Sequence, residues 1–412
     1  MSSRTRRVGA RARAVVACLV VALPAMVAGC GAFGTEGTPS APSASATPSA
    51  PPVPSAVDAG GPDAPLGDAA AACPVTGKAA FDPAFGVDGI LQLPGAVQSV
   101  GALGPAGAIY VASQENCGDA QRSTALRKVP LDGSNAGAIV RCFDKDAESP
   151  IAFSGDPVTG YLLATRLTSG VNRASLRRLN PDGSDRASTL DGGNYTEATF
   201  AQRVPGPTPL DVRGYYLTSG TSKGFLQTIP GSATDLGGQP VAGASYPGKL
   251  LVAFLRDAGM STATLVVKRY VAGASSAIED PSFGKQELPT PNAEPGSFAP
   301  NALIASEGFT AFAVSKAGGS YVVLFEAGGP RPLAPAPGFG VPRIARRCDG
   351  KIVMALVEAG GNVAIGRYDG DQLDPTFRAT KKASGTVSFL LPLPDGGLVV
   401  GMSSGQLLRV SP

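Results

Sequence analysis

Seven times between Gly107 and Gly397 a glycine is followed at once by a short apolar run. The runs are GAIYVAS at Gly107, GYLLAT at Gly160, GYYLTS at Gly214, GKLLVAF at Gly248, GFTAFAV at Gly308, GKIVMAL at Gly350 and GGLVVGM at Gly396, with a mean spacing of about 48 residues. Most are followed by a second apolar run that ends in a turn. A unit of this length cannot bury its apolar face alone, so copies must stack, and the spacing is that of β-propeller blades. Short runs of Val, Leu, Ile and Tyr alternate with Gly, Pro, Asp and Asn turns, and no long stretch shows a helical period. The fold expected is therefore all-β, a propeller of seven blades. Repetition also accounts for a folded region of about 340 residues, Cys73 to Pro412, which is larger than one core serves well.

Turn chemistry sharpens the pattern. Leu176 to Ser184 is a strand running into Asp182-Gly183, and the same construction recurs at Leu126 to Ser134 and at Arg367-Tyr368-Asp369-Gly370. An Asp-Pro-x-Phe element follows in the better preserved units: Asp280-Pro281-Ser282-Phe283 and Asp374-Pro375-Thr376-Phe377, with a further copy at Asp82-Pro83-Ala84-Phe85. Together with Leu393-Pro394-Asp395-Gly396-Gly397-Leu398 and Cys348-Asp349-Gly350-Lys351, these motifs resemble the delta-60 repeat of bacterial secreted proteins. The clearest copy is Arg347 to Phe377, whereas units around Gly214, Gly248 and Gly308 lack the Asp-Gly before the strand. The resemblance implies a β-propeller and carries no catalytic residues. The absence of tryptophan argues against WD40 blades, whose signature uses it.

The last unit stops at Pro412 after its second strand, and the missing part stands at the start of the domain, at Phe81 to Gly86 and Ile90 to Leu93. Residues 80–94 are thus expected to complete the blade built from 383–412, leaving no free sheet edge. Four cysteines lie in this region, Cys73, Cys117, Cys142 and Cys348, and four allow three connectivities. The blade assignment favours Cys117 with Cys142, in the first blade, and Cys73 with Cys348, near the end of the ring.

Upstream, residues 1–29 carry five arginines, no acid and an apolar stretch of about 15 residues, too short to span a bilayer. The Val27-Ala28-Gly29-Cys30 ending resembles the lipobox of bacterial lipoproteins, which implies acylation of Cys30 with diacylglycerol and a further chain such as palmitate. Residues 30–72 then form an Ala/Pro/Ser-rich tether expected to be disordered, because it cannot bury enough apolar surface to offset its ordering entropy. Gly31 beside the lipidated position favours the outer membrane of a Gram-negative envelope. Without the signal the chain has 30 basic against 32 acidic residues, a formal charge of −2, so nothing points to nucleic acid.

Histidine is absent, which excludes Ser-His-Asp and Cys-His hydrolysis and histidine metal sites. The densest acidic cluster, Asp369, Asp371 and Asp374, has the alternating spacing of a calcium loop, yet the repeat pattern already accounts for Asp369 and Asp374. Phe85, Phe283 and Phe377 are expected between blades rather than on a binding face. Arg343, Arg346 and Arg347 form the only small basic cluster; they are candidates for the channel mouth, against a solvated loop. No cofactor, metal or catalytic residue is expected. The function expected is a membrane-anchored binding or interaction module for an unknown protein or glycan; the alternatives are a carboxylate- or metal-dependent propeller lyase or hydrolase and a purely structural envelope protein. A propeller hosts many unrelated functions, so the ligand is not legible here.

Overall fold

The computed structural model describes Cys73 and residues 77–412, apart from 106, 118–119, 144–147, 168–173, 187–189, 192–196, 207–208, 217–222, 230, 232, 274, 285, 300–301, 317–318 and 337–338. The signal segment 1–29, Cys30 and the tether from Gly31 to residue 72 lie outside the described residues.

Seven antiparallel sheets follow one another along the chain. Their innermost strands are Val97–Leu103, Glu148–Asp156, Glu197–Val204, Gln239–Tyr246, Leu303–Ser306, Phe339–Arg346 and Val387–Pro392, and these define blades 1 to 7. Each inner strand lies beside that of the next blade, and that of blade 7 lies beside that of blade 1, so the ring closes. Every blade has four strands in hairpin order, and blade 4 gains a fifth, Gln286–Pro289, against its third. The fold is a seven-bladed β-propeller.

Six of the seven repeat glycines turn the chain from the inner strand into the second one. Gly107, Gly160, Gly248, Gly308, Gly350 and Gly396 all have φ between 67° and 88°, a region where a Cβ would clash. Gly214 does something else. It lies inside the second strand of blade 3, Leu210–Tyr216, where the Phe200 ring fills the space of its absent Cβ. Gly214 pairs with Phe200 just as Ala112 pairs with Val100, Ala164 with Ala152, Ala253 with Ala242, Ala355 with Arg343 and Gly401 with Phe389. The third unit is therefore read one position class out of frame in the sequence: its glycine is the small residue that other units carry four or five positions after theirs. In all six of these pairs the inner strand bulges immediately before the partner, which bends it around the axis. The two phenylalanines at this position need room on both sides. Phe389 sits between Gly401 of its own blade and Gly101 of blade 1, and Phe200 between Gly214 and Gly243 of blade 4.

Closure runs as the repeat count requires. Leu91 pairs with Leu407 and Gln92 with Gln406, so the strand Leu91–Gln92 is the outermost of blade 7. It is shorter than the Ile90 to Leu93 expected, but the latch extends on both sides. Asp82 N donates to Arg409 O at 2.9 Å, Ser411 N to Ala80 O at 2.9 Å and Leu93 N to Gly405 O at 2.9 Å. Phe85, Leu91 and Leu93 then pack with Ile109, Val111, Val399 and Leu407 in one apolar cluster that joins blades 7 and 1.

Candidate binding site in the central channel

The Asp-Pro-x-Phe elements turn out to be one construction used three times. Asp280 Oδ1 accepts from Ser282 N at 3.1 Å, Asp374 Oδ1 from Thr376 N at 2.9 Å and Asp82 Oδ1 from Ala84 N at 3.0 Å, each an Asx turn. The other carboxylate oxygen meets a third-strand arginine: Arg269 on Asp280, Arg367 on Asp374 and Arg409 on Asp82. These contacts hold the Asp280 and Asp374 carboxyls far below the usual carboxylate range, the serine and threonine hydroxyl bonds first, the Lys249 and Arg367 bonds next. The turn delivers its phenylalanine into the sheet packing: Phe85 and Phe377 are 0% exposed, and Phe283 packs half-buried on the shared core of blades 4 to 6. In the acidic cluster, Asp369 pairs with Lys351, Asp371 with Arg331 and Asp374 with Arg367. Three acids meeting three separate cations do not converge on an ion, and among the described residues no group of three metal-ligating side chains forms.

The basic cluster splits. Arg346 bonds Ser306, at the end of the blade 5 inner strand, and lies over the Phe309 ring at 4.6 Å. Arg347 is 3% exposed and stacks on Phe377 at 5.1 Å, while Arg367 stacks on the same ring at 4.3 Å. Desolvation pulls the Arg347 pKa below the ordinary arginine value. Neither residue is among those that line the channel cavity. They sit where the inner strand of blade 6 turns outward, and strand alternation sends neighbours apart. Arg343 alone of the three reaches the channel.

There it borders a cavity of about 240 Å³ lined from blades 1, 2, 3, 6 and 7. Polar groups in and beside this wall join neighbouring blades. Ser99 Oγ donates to Met402 O at 3.0 Å, Gln202 Nε2 to Gly243 O at 2.9 Å, and Arg203 N to Ser154 Oγ at 3.1 Å. Arg343 Nε donates to Ser388 O at 2.8 Å and Nη1 to Val341 O at 3.1 Å. Burial brings its pKa down to about 10, so it remains a cation at neutral pH. Among the described residues no carboxylate lines the cavity. Gln98, also in the wall, holds φ 51°, an unusual conformation for a residue with a side chain. Neither Gln98 nor the serines stand out in the sequence, because nothing in a turn-rich strand pattern marks which serine faces the axis.

The cavity and the tether attachment lie on different faces. Gln98, Ser99 and Ser388 belong to the starts of inner strands, while Arg343, Phe153, Ala201 and Gln202 lie in or past the middle of theirs, so the cavity opens at the start face and runs into the channel. The Asp-Gly turns that follow inner strands form the other face. Cys348 is in one of these turns, exposed, and is joined to Cys73, while Cys117 is joined to Cys142 within blade 1.

No family model matches the chain, and no curated relative does. Among solved structures, a chain of the mitotic checkpoint complex is similar with TM-score 0.50 at 14% identity, covering 81% of this chain and 97% of its own. The WD40 propeller domain of Doa1 (TM-score 0.43, 10% identity, 78% and 97% covered) and YCF48 bound to D1 peptide (TM-score 0.46, 10% identity, 78% and 94% covered) are more distant. At these identities the likeness bears on the fold alone; the seven-bladed propeller itself rests on the strand topology.

Proposed function

We propose that this protein is an exported lipoprotein, anchored through acylated Cys30, whose propeller is a binding module with its ligand-facing site at the channel mouth around Arg343. The observation that carries the reading is the opposition of the two faces. The tether ends at Cys73, pinned to Cys348 among the Asp-Gly turns, and the cavity lies toward the other face. The cavity is therefore not on the face that carries the Cys73–Cys348 link. Two disulfides in the domain support an oxidising compartment outside the cytoplasm. Calcium-type or carboxylate chemistry has little support, because the candidate acids are engaged by cations within the repeat.

Two measurements test the two halves. Metabolic labelling with a clickable fatty acid should mark the wild type and not Cys30→Ala; equal labelling ends the anchoring half. A photo-crosslinking residue placed at Gln98, on the cavity face, should yield a discrete adduct in the native envelope. The same residue at Val158, exposed in an inner-to-second-strand turn of blade 2, should yield none. Adducts from Val158 alone would place the binding face on the wrong side.

A further inference from the structure

Among the described residues Arg343 is the one cation lining the channel cavity, and its surroundings leave it incomplete. Two of its guanidinium nitrogens are fixed by backbone carbonyls from Ser388 and Val341. Carbonyls orient the group without neutralising it. Among the described residues the third nitrogen, Nη2, has no hydrogen-bond partner, and it is not one of the sealed, unsatisfied buried atoms, so it stays accessible on a residue that lines the cavity. Among the described residues no acid lines the space to compensate the charge. An arginine held this way offers a fixed, partly desolvated donor, the arrangement in which an incoming oxyanion gains a charge-assisted bond.

The rest of the wall sets the size and character of the guest. Val100, Pro150, Ile151, Ala152, Phe153 and Phe389 supply apolar surface in the same cavity. A volume of about 240 Å³ is large enough for a compact organic molecule and too small for a folded partner. A bare inorganic anion would leave that apolar surface against water.

Resting on the reading of the channel mouth as the binding face, we infer that the cavity takes a small organic carboxylate with an apolar body. The carboxylate meets Arg343 and the body lies against Ile151, Phe153 and Phe389. Such a group is either a free aromatic or aliphatic acid or the terminal carboxylate of an apolar residue at the end of a peptide. Both present the same chemistry to the site.

The test uses the purified mature protein and isothermal titration with four probes: benzoate, its neutral isostere benzamide, inorganic phosphate, and a tripeptide ending in phenylalanine with a free carboxylate. Benzoate should bind at least tenfold more tightly than benzamide, and phosphate should bind more weakly than benzoate. Arg343→Met should abolish the preference for benzoate over benzamide, Arg343→Lys should retain part of it, and Arg346→Ala, outside the cavity, should leave it unchanged. If the tripeptide binds more tightly than benzoate, a peptide end is the source of the carboxylate; if less tightly, a free acid is. Equal binding of benzoate and benzamide, stronger binding of phosphate than of benzoate, or no saturation by any probe below about 10 mM would overturn the inference; the last limit corresponds to a binding free energy weaker than that of a millimolar ligand. Crosslinks from Gln98 that persist when all probes fail would show the ligand class to be wrong while the binding face stands.

Discussion

Arg347 occupies the turn position that Leu393 occupies in the next blade. The backbone amide of Arg347 donates to Lys351 O and that of Leu393 to Gly397 O, each closing the same loop. All three guanidinium nitrogens of Arg347 are buried without a hydrogen-bond partner, so only the Phe377 ring and the general field of Asp349 offset its desolvation. Arg347→Leu is therefore expected to raise stability by about 1–3 kcal/mol, the usual cost of unsatisfied buried polar groups, seen as a higher melting temperature in calorimetry. Acid should act through the Asp-Pro-x-Phe carboxylates instead. The folded pKa values of Asp280 and Asp374 are depressed, so the stability these two supply is present above the unfolded value of about 3.9 and is lost as pH falls below it toward the folded values. Urea midpoints should drop between pH 5 and pH 3, and Asp374→Asn should start lower and drop less. Arg343 gives the opposite sign at the alkaline end. Its charge persists up to about 10, so benzoate titrations should give one affinity from pH 7 to 9 and a weaker one above 10.

Elements show where local pattern sufficed. The Asp-Pro-x-Phe turn is written in consecutive residues, and its chemistry, an Asx turn followed by a buried ring, is local enough to be read from them. The cation that each aspartate meets is not. Arg269, Arg367 and Arg409 come from third strands, and the Arg409 partner of Asp82 lies at the far end of the chain. The terminal strand is the element on which the ring most depends. Starting the chain at residue 95 removes Leu91 and Leu93, buried side chains worth about 1.5–3 kcal/mol each, and leaves Leu407 and Val410 at an open edge. Such a protein should melt several degrees lower in a thermal scan and aggregate sooner, whereas deletion of residues 35–70 should change neither property.

Over the whole molecule, the disulfide between Cys73 and Cys348 spans a sequence separation of 275 residues and ties the end of the tether to blade 6, beside the blade that the N-terminal strand completes. Alkylation of the mature protein without reduction, followed by intact-mass measurement, should find none of the four domain cysteines modified; after reduction all four should be. The repeat by itself determined the architecture, because a unit that cannot bury its own face dictates stacking, and the incomplete last unit dictated where the termini meet. Even there the frame of the third unit is not fixed by its glycine, since a glycine that opens a turn and one that makes room for a ring, as Gly214 does for Phe200, look alike in one dimension. What only the tertiary structure decided is which side chains reach the axis. Arg343, Arg346 and Arg347 are near neighbours in the chain, yet one enters the channel, one crosses to blade 5 and one is buried under a ring. Strand alternation and the bulge set those directions, and the cavity is assembled from inner strands of five blades, a convergence that no single stretch of sequence contains.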